Sequence, residues 1–278
     1  MSHATPPAAD LGRLFGGVPA DPSALPAGLP PGHLVRADEG AAARPVMWMS
    51  DGPAPAGLWE LLHRARAASG LWPLLLAPLR HDEEYRPWQS AELYPEQVSS
   101  PDLYDPAALL ARRWTESATD EDEDPEVRDS RAPFGRSWPG LAPAPARVDD
   151  PDARARALAA RLLRENPALR IGLVAAGSGA EALSVCGWSG PVNHESDTAK
   201  ISAVLLDWER RFGAQVVEVG FDTLHLSIAA PPTDIAEALL VAAEHATLCP
   251  DNIFQGPGTL AAYAPDLLGA DSWTLWWD

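Results

Sequence analysis

The sequence predicts a protein between the α/β and α+β classes. It expects a mixed β-sheet with helices packed on it, a C-terminal domain, and a smaller βαβ-like region before it. Three observations carry that reading. Residues 198–212 place Ile201, Val204, Leu205, Trp208 and Phe212 on one helical face. The segments that follow, QVVEVGF (215–221) and TLHLSIAAP (223–231), switch to period two around a short turn, the pattern of an antiparallel hairpin. LWPLLLAPL (71–79) is a continuous apolar run bounded by Gly70 and Arg80, which fits a strand buried on both faces.

In chain order, residues 1–32 are rich in Pro, Ala and Gly without a sustained period, so a mobile arm is expected there. HLVRA (33–37) and PVMWMS (45–50) read as strands joined by DEGAAAR. A helix from Leu58 to about Ala68 follows, with Leu58, Leu61, Leu62 and Ala65 as its apolar stripe and Gly70 as its stop. Strand, helix and strand then make a βαβ unit, whose two strands are expected to be a parallel pair. Asp105 caps a short helix that begins at Pro106. This N-terminal region spans 33–115.

Residues 116–130 hold eight acids and one arginine, and with the proline-rich stretch that follows they read as a linker over 116–150. The C-terminal domain then runs over 151–278. Its first helix, DARARALAARLLREN, is stopped by Pro167, and RIGLVAA (170–176) reads as a strand. A short helix ends at Gly187, Asp197 caps the long helix of 198–212, and Gly213 ends it. Val217, Val219, Phe221, Leu224, Leu226 and Ile228 are expected on the core face of the hairpin. Asp234 with Glu237 forms a capping box for a helix ending before Pro250, and WTLWWD closes the chain as a strand. This order suggests helices stacked on one face of the sheet.

Composition limits the partners. A net charge of −18 argues against nucleic acid and against an anionic membrane, since both need clustered cations, and it would suit a basic protein or a cationic ligand. Two cysteines exclude a disulfide framework and suggest a reducing compartment. No run reaches the ~20 apolar residues of a membrane span. The expectation is a cytoplasmic protein.

GLWPLLL, PFGRSWPGLAP, GWSGPVNH, WERRFGA, GFDTL, the AAEH…CPDN pair and the closing WWD resemble the bacterial domain-of-unknown-function family 4253. The family domain corresponds to about 168–278, and the preceding residues look like the leader of its actinobacterial members. The resemblance implies no activity. Immunity proteins encoded beside toxins offer an analogy only.

Several groupings could carry chemistry. VAAGSGAEA (174–182) spells a dinucleotide fingerprint through Gly177, Gly179 and Ala182, but its helix is short and no acid-tipped strand follows, so a tight turn is expected. On the hairpin, Glu218 and His225 fall on the face opposite the core. A Phe221-Asp222 loop sets them directly opposite; an Asp222-Thr223 loop makes them diagonal neighbours. Either way they form a candidate general-base pair. His245 and Cys249, four apart on one helix face, could with Asp251 hold a divalent metal, although no cofactor is predicted. His194, Glu244 and His245 are the candidate catalytic cluster of a hydrolase or metal-assisted enzyme. Asp197, Asp222, Asp251, Asn252 and Trp276 are candidates for contacting a ligand or partner. The bland alternatives are capping for Asp197, core packing for Cys249 and a loop anchor for His245. With no catalytic motif present, the preferred reading is a non-enzymatic binding module with an acidic interaction surface.

Overall fold

The computed structural model describes residues 11, 21, 24–26, 28–37, 45–79, 85–117, 129–145 and 149–278. Most of the expected arm (1–32), the 38–44 turn and most of the acidic stretch lie outside the described residues. Seven strands form one mixed sheet: β1 (Gly32–Arg36), β2 (Pro45–Ser50), β3 (Trp72–Leu76), β4 (Arg170–Val174), β5 (Gln215–Val219), β6 (Thr223–Ser227) and β7 (Ser272–Trp276). Their spatial order is β1-β2-β4-β3-β5-β6-β7.

That order corrects the expected βαβ pair. β2 and β3 do run the same way, but β4 lies between them and is antiparallel to both. The reason is in β4 itself. Ile171, Gly172, Leu173 and Val174 are all buried, so the strand needs a neighbour on each edge and cover on each face. Gly172 pairs with Met49 on one side and Leu74 on the other, and a Cβ there would meet the Leu76 side chain at 3.0 Å. The regions 33–115 and 151–278 therefore interleave at the centre of the sheet, through β2, β4, β3 and β5, and the expected boundary between them does not divide it. Parallel pairing occurs between β3 and β5, through Leu75↔Glu218 and Leu76↔Val219.

Helices cover both faces, where one covered face was expected. Period two sends Met47, Met49, Leu74 and Leu76 to one side and Trp48 and Leu75 to the other. Trp48, Leu75, Ile171 and Leu173 pack with α1 (Leu58–Ser69) and α3 (Pro151–Glu165). The opposite side carries α2 (Pro106–Glu116), α4 (Gly179–Cys186), α5 (Thr198–Phe212), α6 (Ile235–Leu248), α7 (Asp251–Phe254) and α8 (Leu260–Leu267). In α1 the stripe is turned from the expected one. Leu58 and Leu62 are buried, but Leu61 is 53% exposed and Trp59 and His63 are buried instead. His63 stacks on Trp59 at 4.6 Å and sits 3.0 Å from Gln215 Oε1, and burial drops its imidazole to about 4.

The caps follow the sequence closely. Asp105, Asp150 and Asp197 accept from the backbone N–H of Ala107, Asp152 and Ala199, while Gly70 and Gly213 end α1 and α5 at φ 69° and 59°. Asp234 Oδ1 accepts from Ala236 N and Glu237 N, and Glu237 reaches back to Thr233 rather than to Asp234 itself. The hairpin loop is Phe221-Asp222, closed by Gly220 N donating to Thr223 O at 2.8 Å. A bulge between Val216 and Glu218 alters the expected core face. It turns Val217 toward Leu75 and α3, while Val216, Val219, Leu224, Leu226 and Ile228 face the other layer.

Candidate functional site

The loop from Trp188 to Asp197, the β5–β6 turn and the end of the chain enclose a cleft of about 700 Å³. Hydrogen bonds to backbone carbonyls fix its walls. Trp188 Nε1 donates to Gly220 O at 3.0 Å, and Trp277 Nε1 donates to Leu248 O at 3.1 Å. Their rings meet edge to face at 5.7 Å. Trp277 N donates to Asp222 O at 3.0 Å, which ties the β6 turn to the residues after β7. Gly190 is required where the loop crosses Trp188, because a Cβ would come within 2.0 Å of that indole.

The charges in the cleft are unevenly matched. Arg86 pairs with Glu92 at 2.6 Å and lies over the Phe221 ring at 4.9 Å. Asp222 and Asp278 also line the cleft, and neither has a cationic partner among the described residues. Burial raises the Asp222 carboxyl above the ordinary aspartate value, and the charge of Asp278 adds to the effect, against hydrogen bonds that include one from Trp276. Asn193 Nδ2 donates to Asp278 O at 2.9 Å. Trp276 is half-buried and lines a neighbouring groove with Asn252 and Tyr263.

The next residue, His194, belongs to a second cleft, with Arg113, Glu195, Lys200 and Phe254. Its Nε2 is 2.8 Å from Asp251 Oδ2, and Asp251 Oδ2 also accepts from Asp278 N at 2.9 Å. Sequence reasoning grouped His194 with Glu244 and His245; the structure separates them. Glu244 is 0% exposed and accepts from Ala142 N, Trp208 Nε1 and both Arg211 Nη atoms. His245 is fully buried against Trp208, Trp273 and Tyr263, and its Nδ1 is 2.9 Å from the Tyr263 hydroxyl. Burial drops its imidazole to about 3. Both side chains have interior partners and line neither cleft.

The trio His245, Cys249 and Asp251 is likewise split. Cys249 Sγ donates to Trp276 O at 2.8 Å, and burial pushes its thiol up to about 12. Asp251 faces His194, while Asn252 bonds Trp276 N and Thr274 O and so holds β7 in register. Among the described residues no group of three His, Cys, Asp or Glu side chains comes together to hold a metal. Asp197 also serves the fold. Besides capping α5 it accepts from Ser99 N, Ser99 Oγ and Tyr104 Oη. Burial pushes its carboxyl up, but these hydrogen bonds outweigh it and leave the group below its usual value.

Glu218 and His225 are direct cross-strand partners, the register that follows from the Phe221-Asp222 loop. His225 Nε2 stands 3.7 Å from Glu218 Oε1, yet the two groups shift toward neutrality. Burial, with Glu165 nearby, pushes Glu218 up to about 7, and burial lowers His225. At 3.7 Å the two groups are too far apart to share a hydrogen bond, and burial disfavours the charged form of each. The GSG turn is closed by its own chain. Glu181 Oε2 accepts from Gly177 N, and Ser178 Oγ accepts from Glu181 N. Those two acceptors cap the N-terminus of α4, and β4 is antiparallel to both of its neighbours, unlike a dinucleotide-binding strand.

Sequence reasoning missed Arg86, Glu92, Tyr94, Trp188 and Trp277 as cleft residues. The available signal was that GWSGPVNH, GFDTL and WWD share no secondary element and yet meet around one cavity.

Residues 170–278 match the model of a family described as "Domain of unknown function (DUF4253)", which leaves residues 1–169 outside the match. No curated protein and no solved structure matches the chain. Among the described residues no helix is long and apolar enough to cross a membrane.

Proposed function

We propose that this protein is a non-enzymatic binding module that captures a cationic group, such as an arginine or lysine side chain of a basic protein, in the cleft beside Asp222 and Asp278. The observation that carries the proposal is the acid excess there. Arg86 and Glu92 neutralise one another, and among the described residues the half-buried Asp222 and the exposed Asp278 have no cationic partner in the cleft. A partly desolvated carboxylate such as Asp222 gains most from a ligand that brings its own charge. The net charge of −18 would speed the approach of such a partner over a long range. A toxin-blocking role, by analogy with immunity proteins, would be one use of that capture.

A fluorescein-labelled arginine-rich peptide, titrated by anisotropy at low and moderate salt, tests the proposal. Asp222→Asn should weaken binding by about tenfold, the equivalent of one charge-assisted hydrogen bond. Asp102→Asn, at an exposed position lining neither cleft, should leave binding unchanged. The reading fails if no saturable binding occurs at low salt, or if both variants weaken it equally.

A further inference from the structure

The second cleft, about 380 Å³, carries the opposite charge. Arg112, Arg113, Arg131 and Lys200 line it against Glu116 and Glu195, four positive groups to two negative. Lys200, the only lysine of the chain, is committed here. Glu195 organises the cations. Its side chain is 9% exposed, and it takes Lys200 Nζ at 2.9 Å on both oxygens, Asp197 N at 2.9 Å, and Arg113 Nη2. Burial pushes this carboxyl up, but the hydrogen bonds and the two cations win and hold it ionised below the usual range. One carboxylate thus positions two cations and neutralises one of them.

Donors are left over. Arg113 has one hydrogen bond from its guanidinium, to Glu195, and its other N–H groups have no hydrogen-bond partner among the described residues, although the side chain is only 16% exposed. His194 is held through Nε2 by Asp251, and its Nδ1 has no protein partner among the described residues. That nitrogen donates when the ring is protonated and otherwise accepts from a protonated oxygen. Phe254, 41% exposed, supplies an apolar wall.

We propose that this cleft binds the phosphate group of a small phosphomonoester, with the phosphate among Arg113, Lys200 and His194 and the organic part against Phe254. The four cations that line the cleft outnumber the described carboxylates of Glu116, Glu195 and, behind His194, Asp251, and the three oxygens of a phosphate can engage Arg113, Lys200 and His194 together where the two of a carboxylate cannot. The guanidinium fork of Arg113 suits a tetrahedral oxyanion, and the volume falls in the range of small-molecule sites. The two clefts share no lining residue, although Asp278 of the cation cleft donates its N–H to the Asp251 carboxylate that holds His194.

The test is NMR of histidine-labelled protein, with the His194 signal assigned by His194→Gln, titrated separately with inorganic phosphate, phenyl phosphate and benzoate. Phosphate should move the His194 resonance saturably, phenyl phosphate should bind about tenfold tighter, and benzoate should bind weakest. Lys200→Gln should weaken phosphate binding about tenfold. Arg113→Lys, which keeps the charge on Glu195 but removes the fork, should weaken it several-fold, and Asp222→Asn should not change it. The proposal is overturned if His194 shows no saturable shift by about 10 mM phosphate. It is also overturned if benzoate binds as tightly as phenyl phosphate, or if both cation variants, folded by their amide spectra, bind phosphate like the parent protein.

Discussion

Arg211→Met is the sharpest perturbation of the interior. Methionine keeps much of the aliphatic stem and removes the guanidinium, so Glu244 loses bonds at 3.0 and 2.5 Å and its only counter-charge among the described residues. The acceptor that remains is 0% exposed and holds only Ala142 N and Trp208 Nε1, both at 2.8 Å. Breaking a buried ion pair by deleting one partner costs about 3–5 kcal/mol. Arg211 is 12% exposed and shares its charge with Asp207, so water can reach the vacated side, and about 3 kcal/mol is the expected loss. For a chain of this size that is roughly 6–12 °C in midpoint. Glu244→Gln should cost less, about 1–2 kcal/mol, because Arg211 keeps Asp207 and its solvent edge. Urea unfolding followed by circular dichroism, with thermal scans, measures both. A loss below about 1 kcal/mol for Arg211→Met, or a larger loss for Glu244→Gln, would refute the assignment of a desolvated charge.

Two further outcomes follow from the buried titratable groups. Glu218 titrates near 7 in the fold against 4.5 for an ordinary glutamate, so between those pH values the folded chain keeps a proton that the unfolded chain has shed. The Glu218 contribution to stability therefore falls as pH rises across that window, while His63 and His245, whose buried imidazoles drop to about 4 and about 3, contribute in the opposite sense up to their ordinary 6.5. Relative to Glu218→Gln, the parent should lose up to about 3 kcal/mol between pH 4.5 and pH 8; a difference between the two proteins that does not change with pH sinks the argument. Cys186 and Cys249 are buried, with thiols pushed up to about 12, so at pH 8 neither should react with a thiol reagent until the chain unfolds. Labelling of the native protein at the rate of a free thiol would contradict that.

Local structure was legible because local rules govern it. α5 begins at its Asp197 cap and ends at Gly213 because a cap, a five-residue apolar face and a glycine stop all agree there. The Glu218–His225 register followed from a two-residue turn. What the sequence concealed was set by distant partners. Nothing near RIGLV says that its neighbours will be β2 and β3, and nothing in QVVEV signals the bulge that moves Val217 to the other layer. α8 was missed because GPG precedes it and Pro265 sits inside it, although Thr259 caps it normally. Of the candidate site, polarity drew attention to Glu244 and His245, and both proved to be interior groups with interior partners. The clefts are built instead by loops whose meeting depends on the whole sheet.

The placement of β4 bears on how the chain can be cut. The family match begins at Arg170, the first residue of β4, while both strands that pair with β4 lie outside the match. A fragment restricted to 170–278 would leave β4 with two bare edges and open a slot beside β5 that only Leu75 and Leu76 fill. Divided within the acidic stretch, the polypeptide yields two halves whose strands interleave at the centre of one sheet. Neither half can close its hydrogen bonds until it finds the other, the behaviour wanted of a split reporter whose signal depends on reassembly.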